Sequence, residues 1–291
     1  MSSIVVRAPA TSANLGAGFD CLGLALDLWN EVTATPGRLD AEDDANLILH
    51  AARATYTQVG ADYPGFALQC TNRIIYSRGL GSSAAAITCG VLFANECLGK
   101  PLDESAVLDL AVRLEGHPDN IVPCVLGGAR VALRLDDGRV VQSRISLALN
   151  LIAVCFVPDE IGIPTLHARG LLPVSVSHAD AVFNVARASL MVAALSSGRA
   201  DLLAEATRDR LHQPYRLPLF PAGATLLDAA MHAGALGSCV SGAGPTVLAL
   251  CASDSAVDSV SQALTVAARR EGVAGSLLRL GLTDRGAHVV A

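Results

Sequence analysis

The chain has 291 residues, 52% of them hydrophobic and 16% charged, so it holds material for one large or two ordinary buried cores and is no disordered polymer. Its formal net charge is -6, and the basic stripe that nucleic acid demands is missing, which argues against a polyanionic partner. All but one of the 21 positive side chains are arginines, and the exception, Lys100, precedes Pro101 outside any glycine-rich loop. That placement excludes a Walker A P-loop and the strand-borne lysine of protein kinases.

The eight cysteines form no Cys-x-x-Cys pair and most lie in apolar runs, so they read as reduced core residues. The N-terminus runs straight into a strand pattern without the features of a targeting segment, and no apolar stretch approaches about twenty residues. A cytoplasmic protein without a membrane partner is the expectation.

In chain order, residues 4–7 read as a strand and 8–20 as a loop, because Thr11, Ser12, Asn14, Gly16 and Gly18 crowd ahead of Asp20. Residues 24–35 alternate as a second strand closed by Pro36-Gly37, 46–56 read as a helix and 66–70 as a strand. The clearest helix starts at Ser82 or Ser83 with serines competent to cap it and ends at Gly99; a second spans 103–115 with Asp103 as cap. Gly127-Gly128 introduces a strand at 129–135 whose hairpin partner follows Asp136-Asp137-Gly138. The apolar run 149–157 reads as a buried strand, and a domain junction is expected near 145–150, dividing the chain into 1–148 and 149–291. Beyond it come helices over 178–196, 199–212 and 223–232, a strand over 246–251, a helix over 255–271 and an apolar end. Strands and helices mixed in both halves indicate an α/β or α+β fold.

Chemistry concentrates in three segments. Arg78-Gly79-Leu80-Gly81-Ser82-Ser83-Ala84 is a glycine loop entering a helix, where unpaired backbone amides and the positive dipole end suit a phosphate. A bare Gly-x-Gly would favour an ordinary capped turn, but the two hydroxyls, the arginine and the small residues that follow favour the phosphate. Ser83 also offers a hydroxyl to Mg²⁺. Glu115-Gly116-His117-Pro118-Asp119-Asn120 gathers carboxylates, an imidazole and an amide where a helix breaks; a helix-end charge followed by a β-turn explains it equally well, and both readings stay open. Residues 238–246 make a second small-residue loop, either a strand connection or a close backbone approach to a cleft.

Together these segments resemble the GHMP small-molecule kinases, most of all the branch that phosphorylates homoserine. The opening Arg7-Ala-Pro-Ala-Thr-Ser-Ala-Asn-Leu-Gly-Ala-Gly-Phe-Asp20, the Gly79 to Ala85 loop and Ser241 to Thr246 are similar to family motifs, while Glu115 to Asn120 and Gly127-Gly128 match the homoserine branch. The matches run from residue 5 to beyond 246. Ile75 and Ser77 depart from a proline and a glycine usual in the family, and Ala17 from a common proline.

The resemblance implies an α+β fold, with an N-terminal α/β domain, a C-terminal ferredoxin-like domain and the active site between them. It implies ATP and Mg²⁺: phosphates over Arg78 to Ala84, the metal on Ser83 and Glu115, and Asn46 near adenine. L-homoserine would meet Asn14 and Asp20 at its ammonium, Arg169 and Arg216 at its carboxylate, and His117 and Asn120 nearer the reacting hydroxyl. Asn120 stands where related kinases often carry an aspartate, so positioning rather than a side-chain base would drive transfer, with Asp119 and His117 as competing bases. A homodimer stays open. So do another kinase or a decarboxylase of this fold and a silent ligand sensor, although a sensor has no need of Ser83 and Glu115.

Overall fold

The computed structural model describes residues 3–37, 46–159 and 162–290, with only the backbone of Thr165. Its elements in the first half are β1 (Ile4–Ala13), β2 (Leu22–Pro36), α1 (Leu47–Gln58), β3 (Phe66–Thr71), α2 (Ser82–Cys97), α3 (Glu104–Glu115), α4 (Pro118–Leu126), β4 (Ala129–Arg134) and β5 (Val140–Ile145). Then follow β6 (Ile152–Pro158), α5 (Thr165–Gly170), α6 (His178–Ser197), α7 (Leu203–Ala206), α8 (Gln213–Arg216), α9 (Ala222–His232), β7 (Gly237–Val240), β8 (Val247–Cys251), α10 (Asp254–Arg270), β9 (Gly275–Gly281) and β10 (His288–Val290).

Two antiparallel sheets carry the architecture, ordered β10-β1-β2-β4-β5, with β3 also on β2, and β7-β8-β6-β9. The second sheet with its helices follows a β-α-β-β-α-β plan, the ferredoxin-like arrangement. The chain changes sheet between β5 and β6, and its last strand returns: Val5, Val6 and Arg7 pair with Val290, Val289 and His288. The larger core joins Leu24, Ile87, Phe93 and Val122 to Ala153 and Leu248 across the sheets. A second core, with Phe156, Phe220, Leu226 and Leu264, lies under α9 and α10.

Four readings of the sequence change on folding. The strand begun at Ile4 continues to Ala13, since Thr11 and Ser12, polar enough to suggest a loop, are fully buried with hydrogen-bond partners across the fold. Pro118 starts α4 instead of breaking the chain, because a proline at the first helical position gives up only an amide that has no intrahelical partner there. The single helix expected over 199–212 is a 3-10 turn at Ala200–Leu202 and the short α7; beyond them Asp209 accepts the amides of Leu211 (2.9 Å), His212 (2.9 Å) and Gln213 (2.6 Å), a local competitor to helical bonds. The α2 serines do not cap their helix: Gly81, in the left-handed region at φ 70°, occupies the cap.

The cysteines are all free thiols; Cys70 is exposed on β3, so the core reading fails there. α6 has the length and apolar composition of a membrane span, which the run of residues alone did not reveal. Yet Asn184 and Arg187 on it turn inward, bonded to the Ala17 carbonyl and the Asp209 carboxylate and to Glu205 respectively.

α1 and α2 meet at Gly90, where a Cβ would lie 2.2 Å from the Ile48 carbonyl oxygen. Gly90→Ala gains about 1 kcal/mol of helix propensity, but the clash with fixed backbone outweighs it, since overpacking costs about 1–3 kcal/mol. A lowered urea midpoint is expected; an unchanged or raised one would mean that α1 shifts freely.

Candidate active site

Glycine geometry fixes the centre of the site. Gly79 and Gly81 have φ of 76° and 70°, and added Cβ atoms would lie 2.1 Å from the Ser241 carbonyl and 1.9 Å from Thr11 Oγ1. The loop therefore presses its backbone against β1 and the loop after β7. Helical hydrogen bonding starts at Ala85 N to Gly81 O (2.9 Å), so the amides of residues 82–84 face outward at the positive end of α2. That is a ready anion site.

A cleft opens there, lined among others by Gly79, Gly81, Ser82 and Ser83 of this loop, Glu115, His117, Asp119 and Asn120 around the α3–α4 junction, Asn14 and Asp20, and Arg169 and Arg216 from the second half. Ser83 Oγ donates to Glu115 Oε1 at 2.6 Å. Burial raises the Glu115 pKa, and the Ser83 hydrogen bond only partly opposes this, so the carboxylate is short of positive compensation. A hard cation fits one carboxylate and one hydroxyl when nucleotide phosphates and water complete its shell. No larger group of His, Cys, Asp and Glu among the described residues competes as a metal centre.

The opposite wall is built from charges. Arg169 on α5 forks onto Asp20, Nη1 to Oδ2 at 2.9 Å and Nη2 to Oδ1 at 2.6 Å. Burial disfavours the Arg169 cation, but the Asp20 hydrogen bonds and charge outweigh it and raise its pKa. Arg216 on α8 is 3% exposed; burial, then repulsion from Arg169, lowers its pKa. Its Nη1 donates to the Gly242 carbonyl at 2.9 Å, which also accepts Asn14 Nδ2 at 2.8 Å, while Asn14 Oδ1 accepts the Asp20 amide at 3.0 Å.

His117 and Asp119 are tied together at 2.9 Å, and although burial depresses the imidazole pKa, Asp119 raises it to a net value above ordinary histidine. Asn120 Oδ1 accepts the Thr11 hydroxyl at 2.8 Å, and Nδ2 lies 3.5 Å from Asp119 Oδ1. The amide thus offers N–H donors to the cleft.

The structure brings together Asn14, Asp20, Gly79, Gly81, Ser82, Ser83, Glu115, His117, Asn120, Arg169 and Arg216 at this one cleft. Four other expected residues stand apart from its lining. Leu80 and Ala84 point into the core at 1% and 0% exposure, leaving only their backbone to the loop. Arg78 is occupied elsewhere, with Nε on the Pro158 carbonyl (2.9 Å) and Nη2 on that of Asp159 (2.6 Å). Asn46 caps α1, its Oδ1 accepting the Ile48 and Leu49 amides. Sequence reasoning missed Thr11, Ser12 and His212, whose only signal was a polar residue in an apolar or turn-rich stretch.

The chain matches the family models GHMP kinases N terminal domain over residues 46–128 and GHMP kinases C terminal over residues 191–268. It is 40% identical to the homoserine kinase of Moorella thermoacetica, over 98% of this chain and 99% of that one, and 38% identical to that of Microchaete diplosiphon, over 99% and 97%. The crystal structure of homoserine kinase from Cytophaga hutchinsonii superposes with a TM-score of 0.89 at 28% identity, covering 100% of this chain and 98% of the other. A more distant likeness concerns the fold alone: L. major mevalonate kinase, in complex with R-mevalonate, gives a TM-score of 0.70 at 16% identity, over 98% of this chain and 97% of the other. On these matches the chain belongs to the homoserine kinase family, within the GHMP kinases, and is a kinase of that fold.

Proposed function

We propose that the protein transfers the γ-phosphoryl group of ATP to the hydroxyl of L-homoserine, giving ADP and O-phospho-L-homoserine. One observation carries the reading: an anion-binding helix end with Ser83 and Glu115 shares a cleft with a carboxylate and two arginines suited to an α-amino acid. The bond that forms joins the substrate oxygen to phosphorus, the bond to ADP breaks, and the hydroxyl proton passes to solvent or phosphate.

Residues 82–84 hold the phosphates with backbone amides, and Ser83 with Glu115 would hold Mg²⁺. When bound there, that ion neutralises charge on the transferring group. The zwitterionic substrate opens the Asp20–Arg169 fork, its ammonium taking Asp20 and its carboxylate taking Arg169, while Arg216 meets the carboxylate from the other side. Asn120 donates to the reacting oxygen and orients it. No side chain is an obligatory base in this scheme: the Asn120 amide does not take a proton, and in a loose transition state the hydroxyl proton need not leave early.

Purified protein given Mg·ATP and, separately, homoserine, threonine, mevalonate, galactose and shikimate should release ADP rapidly with homoserine alone. Turnover of mevalonate or a sugar in preference would sink the assignment. Glu115→Gln should raise the Mg²⁺ needed for half-maximal rate by at least about 10-fold, the low end of what losing even an outer-shell partner of a metal costs. Wild-type behaviour at low Mg²⁺ would reduce Glu115 to a helix-end charge. Asp119→Asn should keep the shape of the kcat–pH profile; loss of a basic limb together with a fall of about 10²–10⁴ in kcat, the effect of removing a general base, would overturn the base-free scheme.

A further inference from the structure

We infer that His212 is the positioning residue of Arg216: its neutral imidazole gives Nη1 a fixed acceptor and so holds the guanidinium with Nη2 toward the substrate carboxylate. This rests on the reading of Arg216 as a carboxylate-binding group. His212 is fully buried, with Nε2 2.8 Å from the Gly16 carbonyl and Nδ1 3.2 Å from Arg216 Nη1. A carbonyl only accepts and a guanidinium only donates, so Nε2 carries the proton and Nδ1 offers its lone pair. Both partners demand the same neutral tautomer.

The groups facing the ring support that state. Asp209 Oδ2 lies 3.6 Å from Nε2, beyond hydrogen-bond range, and this carboxylate is already satisfied by the amides of Leu211, His212 and Gln213 and by Asn184 Nδ2. Phe19 stacks on the ring at 5.3 Å between centroids, and the Arg216 guanidinium carbon lies 5.2 Å from the same phenyl ring. Burial lowers the His212 pKa, with Arg216 adding to the effect against Asp209 and Asp20.

The consequence falls on Arg216. Nη1 is held twice, by His212 and by the Gly242 carbonyl, whereas Nε is buried without any hydrogen-bond partner. Nε is sealed among its neighbours, so the end of the guanidinium left for a ligand is Nη2, which has no hydrogen-bond partner and is not sealed off, and a charge-assisted bond there is strong.

Two near-isosteres separate positioning from packing. His212→Asn places an oxygen near Nδ1 and keeps the acceptor for Arg216; His212→Gln places an amide nitrogen near Nε2 and keeps the tether to Gly16. Both lose the stack on Phe19. His212→Gln should raise the homoserine KM about 10-fold or more, the effect of losing one hydrogen bond to a charged group, with the ATP KM unchanged, and His212→Asn should stay nearer wild type. His212→Gln should also erode the preference for homoserine over 3-aminopropan-1-ol, which lacks the carboxylate. Equal losses in both variants, no loss in either, or a loss confined to His212→Asn would each overturn the role. If Arg216→Ala leaves the homoserine KM unchanged, the carboxylate reading of Arg216 itself fails; if it raises that KM while His212→Gln does not, only the positioning role fails. Should the variants not fold, the ¹⁵N imidazole spectrum of the unaltered protein decides: a neutral ring protonated on Nε2 supports the role, and a cationic or Nδ1-protonated ring overturns it.

Discussion

A single hydroxyl couples the halves of the site. Ser241 Oγ donates to the Gly79 carbonyl at 2.6 Å, so its one proton is used there and Ser12 Oγ, 2.8 Å away, must be the donor to it. Three segments of distant sequence are thereby locked in a chain from β1 through the loop after β7 to the glycine turn before α2. The glycines make the approach sterically feasible, and the hydroxyl fixes its register. The next residue, Gly242, then offers its carbonyl to Asn14 and Arg216, extending the anchor to the opposite wall. A misplaced Ser241 loop would disturb the glycine turn and the Asn14–Arg216 wall of the cleft together, which is the economy of placing the site where two sheets meet.

The chemistry of the site was more legible in the sequence than its local geometry. Glycines beside serines, and a carboxylate three residues ahead of Pro118, mark reactive segments because few structural roles need those residue types together. Polarity, however, is a poor guide to exposure when the partner is far along the chain: Thr11 finds Asn120, 109 positions away, and Ser12 finds Ser241, 229 away. No local pattern announces such a partner, so the second half of β1 resembled a loop. Arg78 fails for a related reason. An arginine beside a glycine turn is chemically persuasive, yet Pro158 at the buried end of β6 and Asp159 just past it offer backbone carbonyls that need donors, and Arg78 supplies them.

The segment 207–216, whose first part was expected to close a helix over 199–212, works as a shaped support. Asp209 gathers three successive amides and an asparagine side chain, and this turns the chain so that His212 reaches Gly16 while Arg216 reaches Gly242. A continuous helix would put residues 212 and 216 on one face but would not fix where that face begins. Packing supplies that: a Cβ on Gly16 would lie 2.1 Å from the Thr207 carbonyl, so the turn after β1 rests directly on this segment. The backbone irregularity is what aims the side chain.

The two arginines of the cleft stand in different states, and that difference bears on selectivity. Arg216 is held at Nη1 by neutral acceptors and keeps Nη2 free, so on the proposed reading a carboxylate adds a bond there without breaking any. Arg169 is matched by Asp20, and a ligand gains from it only by replacing that carboxylate. A simple carboxylic acid that reached for Arg169 as well would displace Asp20 and leave it partly buried without a cation, an expensive outcome. A simple amine would strand Arg169 in the same way. On the proposed reading, a zwitterion with its charges on one carbon would replace both partners at once and leave neither unpaired, so the internal ion pair would discriminate against ligands that gain from Arg169 or Asp20 with only one of the two charges.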